Sequence, residues 1–260
     1  MPLDMRYSQS QRQGLVRMTE GLRVIGERHG QRQFHRMYPE ETQTDRVTGQ
    51  VFHARHLYPR HMEFFDAGRE YRERCFMAGN RIGKTYGAGG YETACHATGL
   101  YPDWWTGRRF ARPVRAWVAG KTNETTRDII QSTLFGEVKA RAGHNAGGKG
   151  FTGTGVIPGE CLGVLTWKQG VADLADVVRV RHVSGGWSTI GLKSYVQGRG
   201  SFEGTSQHLI WLDEEPPLDV YGECLIRTAT TDGIVMLTFT PLAGLSATVM
   251  QFMPKDVRPE

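Results

Sequence analysis

The chain has 260 residues, 39% of them hydrophobic and 23% charged, enough for one large α/β domain or two small ones around a buried core. No run of eighteen apolar residues occurs, and the start, "MPLDMRYSQSQRQGL", lacks the apolar core of a secretory signal, so neither a membrane span nor an export signal is expected. The net charge of +5 fits an anionic partner such as DNA but is common in plain soluble proteins. The four cysteines (75, 95, 161, 224) show no CxxC spacing, so neither a zinc site nor a disulfide framework is indicated, which suits a reducing cytosol.

Residues 1–57 are polar and rich in Arg and Gln; "MTEGLRVIGERHGQRQFHRMY" predicts one or two amphipathic helices and then a loop, an N-terminal appendage or lid. The stretch 58–73 reads as a turn and a short helix carrying Met62, Phe64 and Phe65 toward a core. From residue 74 the texture changes. "RCFMAG" (74–79) is an apolar run closed by glycine, as a buried strand requires. "KTYGAGGYETACHATG" (84–99) is helical, its glycines trading helix propensity for close packing on a sheet. "VRAWVAG" (114–120) is a second buried strand, and 123–140 is an amphipathic helix with Asn123 as its N-cap.

Residues 141–160 are dense in glycine and read as a long loop, a mobile segment or a site of contact. "CLGVLTW", "DVVRVRHV" and "GWSTIGLKSYV" predict further strands. "HLIWLDEEPP" (208–217) is an apolar strand ending in acids, and "IVMLTFTPLAG" (234–244) is one ending in Thr-Pro. Strands alternating with helices predict a mainly parallel sheet flanked by helices. The basic cluster "TGRRFARPVR" (106–115) is read equally as a solvated surface or a DNA contact.

Three segments carry chemistry. "FMAGNRIGKT" (76–85) has the Gly-Lys-Thr ending of a phosphate-binding loop between a strand and a helix. In such a loop Gly79 and Gly83 supply the turn, and the backbone from Gly79 through Asn80, Arg81 and Ile82 to Gly83 faces the phosphates of ATP. Lys84 reaches the β- and γ-oxygens, Thr85 holds Mg²⁺, and the helix N-terminus favours anions. Asp213 and Glu214 sit at the C-terminal end of an apolar strand, where open α/β sheets bind ligands. Asp213 is expected to hold Mg²⁺, and Glu214 to polarise the water that attacks the γ-phosphate. Alone, that pair reads as a solvated turn; with the phosphate loop it favours an ATP-hydrolysing motor over a small-molecule kinase. Thr238 and Thr240 end the third strand beside the nucleotide, where they sense the γ-phosphate or simply cap a core strand before Pro241.

Together "YPRHMEFFDAG", "FMAGNRIGKT", "KSYVQGRGSFEGTSQHLIWLDEEPP" and "MLTFTPLAG" resemble the ATPase domain of the large terminase subunit of tailed bacteriophages, over about residues 58–245. The resemblance implies a P-loop NTPase of the ASCE/RecA-like type over 58–260, with 1–57 as a helical appendage. It implies a motor that threads double-stranded DNA into a procapsid with the portal protein and the small terminase subunit. A ring, a pentamer, would assemble at the portal vertex in the host cytoplasm, from chains that can be monomers in solution. By the same resemblance Arg81 stabilises charge on the transferring phosphoryl group, the alternative being a salt bridge to Asp213 or Glu214. Arg199 is offered to a neighbouring subunit's ATP or serves only its loop, and Tyr58 and His61 are candidates for the adenine. Ala78 replaces a glycine of the common pattern, which a negative φ there allows. The family's C-terminal nuclease domain has no room before residue 260, so no nuclease activity is expected of this chain. A helicase-like or repair ATPase, or a nucleotide-gated ring-assembly module without fast turnover, stand as the rival functions.

Overall fold

The computed structural model describes residues 10–11, 13–19, 33–46, 49–140 and 148–254. The chain divides into two compact units, Met1–Ala54 and Arg55–Glu260. In the first, residues 13–19 are helical and exposed, and Gln33–Arg36 form one helical turn; most of the amphipathic stretch predicted for 18–38 lies outside the described residues. An antiparallel pair, β1 (Gln43–Thr44) and β2 (Val51–Phe52), closes this unit. Strands of two residues leave no periodic signature, so the sequence did not announce them.

The described residues of the second unit form nine strands. They are β3 (Glu73–Met77), β4 (Arg115–Gly120), β5 (Val138–Ala140), β6 (Lys149–Phe151) and β7 (Leu162–Trp167), then β8 (Ala175–Arg181), β9 (Trp187–Ser194), β10 (Leu209–Asp213) and β11 (Ile234–Phe239). Seven form one sheet in the order β3-β11-β10-β4-β9-β8-β7, in which the first five run parallel and β8 runs antiparallel to both its neighbours, β9 and β7. Strands covered on both faces lose the alternation of polar and apolar residues, and β10 and β11 are buried at every position. The antiparallel margin follows from connection length. Residues 168–174 and 182–186 are too short to carry a crossover helix, and parallel neighbours need one. The mainly parallel α/β sheet is as expected. Strand β11, which carries the third motif, is inserted between β3, which leads into the phosphate loop, and β10, which carries the acids. That order, with one strand between the loop strand and the acidic strand, fits the P-loop fold that the resemblance implies.

Helices cover the sheet where small residues let them approach. The helix over 84–98 opens as a π-helix, Lys84–Gly90, and continues as an α-helix, Tyr91–Thr98. A Cβ at Gly89 would lie 2.2 Å from the indole of Trp211 on β10, so glycine is required there to seat the helix on the sheet. The helix predicted for 123–140 spans 123–135, and its cap is Thr122, not Asn123. The Thr122 hydroxyl accepts from the Thr125 amide in a capping box, while the Asn123 side chain accepts from Ser194 Oγ at 2.8 Å. Gly136 (φ 81°) ends it. The glycine-dense segment is not one long loop: Lys149–Phe151 pair with Val138–Ala140, and Phe151 stacks on Phe135 at 5.0 Å. Residues 141–147 lie outside the described set. Gly155 is pressed on the backbone of Leu134 and Phe135, where a Cβ would come within 2.5 Å, so this glycine serves packing. The helix Pro59–Ala67 buries His61, Phe64 and Phe65, with Met62 only half-buried.

The basic cluster at 106–115 is in part structural. Arg108 pairs with Asp232 at 2.6 Å, and Arg109 donates to the Trp105 carbonyl at 3.0 Å. All four cysteines are free, and among the described residues no helix is long and apolar enough to cross a membrane.

A buried ionic cluster clamps β3 to the helix over 84–98, on either side of the phosphate loop. Arg74 Nη2 lies 2.6 Å from Glu92 Oε1, with the side chains 4% and 0% exposed, and the guanidinium also donates to the Phe64 carbonyl at 2.6 Å. His96 Nε2 meets the same carboxylate oxygen at 3.0 Å, and its Nδ1 meets Tyr101 Oη at 2.8 Å. Burial alone would raise the Glu92 pKa, but Arg74 and His96 outweigh it and hold the carboxyl below its usual range. Burial pushes His96 below the ordinary histidine value, against the pull of Glu92. Below about pH 6.5 the unfolded chain therefore binds a proton at this histidine that the folded chain refuses, and stability falls as pH falls. Urea denaturation at pH 7.5 and 5.5 is expected to show lower stability at the acid pH, with part of that slope removed in His96→Gln.

Candidate functional site

The phosphate loop is shaped by two left-handed residues. Strand β3 ends at Met77, and Ala78 continues the ladder by donating its amide to Phe239 O at 3.3 Å. Neither Ala78 nor Gly79 has a positive φ, which is why alanine is tolerated where a glycine is common. The turn is made instead at Arg81 (φ 62°) and Gly83 (φ 82°). A non-glycine residue held there costs on the order of 1–3 kcal/mol, a strain typical of functional loops. His61 supports the loop from below: it is buried, hydrogen-bonds the Gly83 backbone and packs edge-on against Phe76 at 5.0 Å. Burial lowers its pKa and keeps it neutral.

The parallel registers bring the C-terminal ends of β3, β11 and β10 together, because Phe76 pairs with Thr238 and Thr238 pairs with Asp213. A cleft of about 580 Å³ opens at these ends. Asn80, Arg81, Gly83, Lys84 and Thr85 line it from the loop, and Asp213, Glu214, Thr238 and Thr240 line it from the strands. Thr85 Oγ1 lies 2.9 Å from Asp213 Oδ1 and 3.1 Å from Oδ2. Thr238 Oγ1 donates to Asp213 Oδ1 at 2.7 Å and accepts from Trp211 Nε1 at 2.7 Å. Burial pushes the Asp213 carboxyl up to about 6, against the hydroxyls of Thr238 and Thr85. Lys84 Nζ donates to Gly79 O at 2.5 Å and to Thr240 Oγ1 at 2.9 Å, and burial lowers its pKa. Glu214 has φ 64°, its amide donates to Thr238 O at 3.0 Å, and its Oε2 is buried without a hydrogen bond.

A hydroxyl and one carboxylate 2.9 Å apart, both oxygen donors, suit a hard cation that keeps most of its water and phosphate ligands, as Mg²⁺ does. Glu214 lines the same cleft, and its orphaned Oε2 is an acceptor left unsatisfied inside the protein.

Other predicted residues lie elsewhere. Ile82 is 42% exposed and, with Gly79, does not line the cleft, although the Gly79 carbonyl anchors Lys84. Tyr58 and His61 pack on each other at 5.4 Å, and neither reaches the cleft wall. Arg81 lines the cleft with no ion pair to Asp213 or Glu214, so the salt-bridge alternative is not the arrangement seen. Arg199 is outside the cleft, in the turn Arg199–Phe202. Its guanidinium, 53% exposed, donates to Glu223 Oε2 at 2.9 and 3.1 Å.

The sequence profile for the terminase large subunit, T4likevirus-type, N-terminal, matches residues 75–260. The terminase large subunit of Salmonella phage P22 is 39% identical over an alignment of 215 positions that covers 75% of this chain and 41% of that protein. The chain belongs to the terminase large subunit family. It spans less than half the length of that curated relative. Two solved structures of the large terminase from a thermophilic bacteriophage are also similar. One, in complex with ADP, has a TM-score of 0.40 at 12% identity and covers 64% of this chain and 33% of that one. The other has a TM-score of 0.44 at 10% identity, covering 70% and 37%.

In this terminase domain several residues at or behind the cleft escaped the sequence reading, Lys121, Tyr86 and Tyr195 among them. Lys121 follows the C-terminal end of β4 and lines the cleft, where the strand-end rule that picked out Asp213 could have found it. Tyr86 lines it too, with a buried hydroxyl that lacks a hydrogen bond. Tyr195 lies behind the acids, and nothing in its spacing marks it. Thr238→Val is expected to destabilise the domain by about 1–3 kcal/mol in urea denaturation, because it strands the Trp211 Nε1 donor. Thr238→Ser should recover most of that loss.

Proposed function

We propose that this chain is the ATP-hydrolysing motor domain of a viral genome-packaging machine. The observation that carries the reading is the convergence of Lys84, Thr85, Asp213, Glu214 and Thr240 on one cleft, with Arg81 at its edge. Lys84 neutralises the β- and γ-phosphates of ATP, and the loop amides around Gly83 cradle them. Thr85 and Asp213 would hold Mg²⁺, which would supply positive charge to offset that of the phosphates during transfer. Glu214, which lines the cleft beside Asp213, takes the proton of the attacking water. Arg81, carrying no partner charge, is available to the equatorial oxygens of the transferring phosphoryl group. Thr240 bonds Lys84 and lies 2.9 Å from both Ala78 O and Asn80 Oδ1, so it links the loop to the end of β11 and registers a change at the γ-phosphate.

Membership of the terminase family supports double-stranded DNA as the transported polymer. It also supports the portal protein and small subunit as partners, a pentameric ring as the assembled form and the host cytoplasm as the place of action. The position of Arg199 supports a role toward a neighbouring subunit: it is half-exposed and remote from its own cleft. No nuclease step is assigned to these residues. The segment over 1–57 is assigned the role of an N-terminal appendage or lid.

Lys84→Ala is expected to abolish ATP turnover, measured as phosphate release with and without DNA and procapsid; undiminished turnover would remove the reading. Glu214→Gln should lose hydrolysis at least a hundredfold while keeping nucleotide binding. A ring-assembly module would instead keep its function in that variant. Arg199→Ala should lower turnover only under conditions where subunits associate, and an equal loss in dilute monomer would make it a residue of its own subunit's fold.

A further inference from the structure

Glu214 occupies a backbone conformation that glutamate does not choose. Its φ is 64°, and the residue lies at the turn where β10 leaves the sheet. Such a conformation persists only when the surroundings over-determine it. One restraint is the amide bond to Thr238 O at 3.0 Å. The second comes from the opposite side. The Tyr195 hydroxyl lies 2.8 Å from the Asp213 carbonyl, 3.1 Å from the Glu214 carbonyl and 3.4 Å from the Ala119 carbonyl. A phenol has one proton, which is shared between the first two acceptors, with Ala119 too distant to compete. Burial, and then the Asp213 carboxylate, push the phenol far above its ordinary pKa, so it stays a neutral donor.

The tyrosine is itself fixed. Its side chain belongs to the core cluster between the sheet and the helix Leu218–Ala229, with Trp117, Phe202 and Leu212. Its backbone begins a 3-10 turn, Tyr195–Gln197, closed by a capping box between Ser194 and Gln197. We propose that Tyr195 is the positioning residue for the catalytic glutamate: its hydroxyl pins the carbonyls of Asp213 and Glu214, holding the strained turn that aims Glu214 into the cleft. Tyr195 does not itself line the cleft. This proposal rests on the reading of Glu214 as the base that takes the water's proton.

Tyr195→Phe removes one oxygen and keeps the ring, so the core contacts survive. The expected result is a kcat for ATP hydrolysis reduced about tenfold or more, with KM and the affinity for a fluorescent ADP analogue within twofold of wild type. In the Glu214→Gln background the same substitution should change kcat less than twofold, because its effect passes through Glu214. In the nucleotide-free protein, amide hydrogen exchange of the segment 209–217 should be at least tenfold faster in Tyr195→Phe, with β4 unchanged. Wild-type kcat and wild-type exchange in a folded Tyr195→Phe protein would overturn the proposal, as would an equal loss in both backgrounds. If the variant does not fold, Glu214→Gly provides the second measurement, since glycine holds a positive φ without strain. The double variant should then fold, and failure of that rescue counts against the proposal. A wild-type chain that hydrolyses no ATP would overturn the functional reading, while the exchange experiment still decides whether Tyr195 holds the turn.

Discussion

The site depends on one buried carboxylate. Asp213 is 4% exposed at the end of a strand buried on both faces, where an isolated anion is costly. Two hydroxyls, one from the first turn of the loop helix and one from β11, are committed to it. Each comes from a different element, so the carboxylate fixes the mutual positions of the phosphate loop, the acidic strand and the strand between them. The residual cost shows in its pKa, pushed up to about 6 by burial that the hydroxyls do not fully offset. A divalent cation bound there would reverse that balance, since a nearby positive charge favours the ionised form. By itself the site is thus an incompletely neutralised anion beside a partly buried ammonium, Lys84, whose own pKa burial lowers. Each charge gains from the ligand of opposite character.

How far this was legible follows from the kind of signal each feature leaves. The strands β3, β4, β10 and β11 announce themselves as short apolar runs because both their faces are covered, and the motif residues at their ends are local in sequence. The helix over 84–98 was legible despite three glycines because the glycines have a packing reason, the indole of Trp211 at Gly89 being one. The cap at Thr122 was misassigned to Asn123 by one position, since both residue types cap helices and only the bond from the Thr125 amide decides. The glycine-rich segment was read as one loop because glycine serves mobility and close approach alike, and the sequence does not distinguish them.

What the sequence hides is convergence across long separations. Tyr195 lies beside the acids only because β9 and β10 flank β4 in register, and no local pattern encodes that. Placing Tyr58 and His61 beside the base rested on the family resemblance of the segment ahead of the loop. The fold instead turns His61 under Gly83, where a ring nitrogen meets backbone. Strain is equally invisible. Arg81 and Glu214 are ordinary residues for a loop and a strand end, yet both take left-handed conformations on opposite walls of the same cleft.

The three arginines of interest differ in how firmly each is held, and the difference follows from burial. Arg74 is bonded to Glu92 and to a backbone carbonyl in a dry interior, and removing one partner of such a pair leaves an uncompensated buried charge worth about 3–5 kcal/mol. Arg81 has no ion pair among the described residues and faces the cleft. Arg199 is intermediate: it bonds Glu223, but half of its side chain is in water, where an ion pair is worth only about 0–1 kcal/mol. Glu223 is 2% exposed and would be costly to strand alone, yet Arg227 lies 2.9 Å from its other oxygen. Arg227 is an ion-pair partner without a hydrogen bond to that oxygen, so the two bonds from Arg199 are the ones that satisfy this buried carboxylate. The role proposed for Arg199 toward a neighbouring subunit therefore requires an anion that offsets the loss of both bonds.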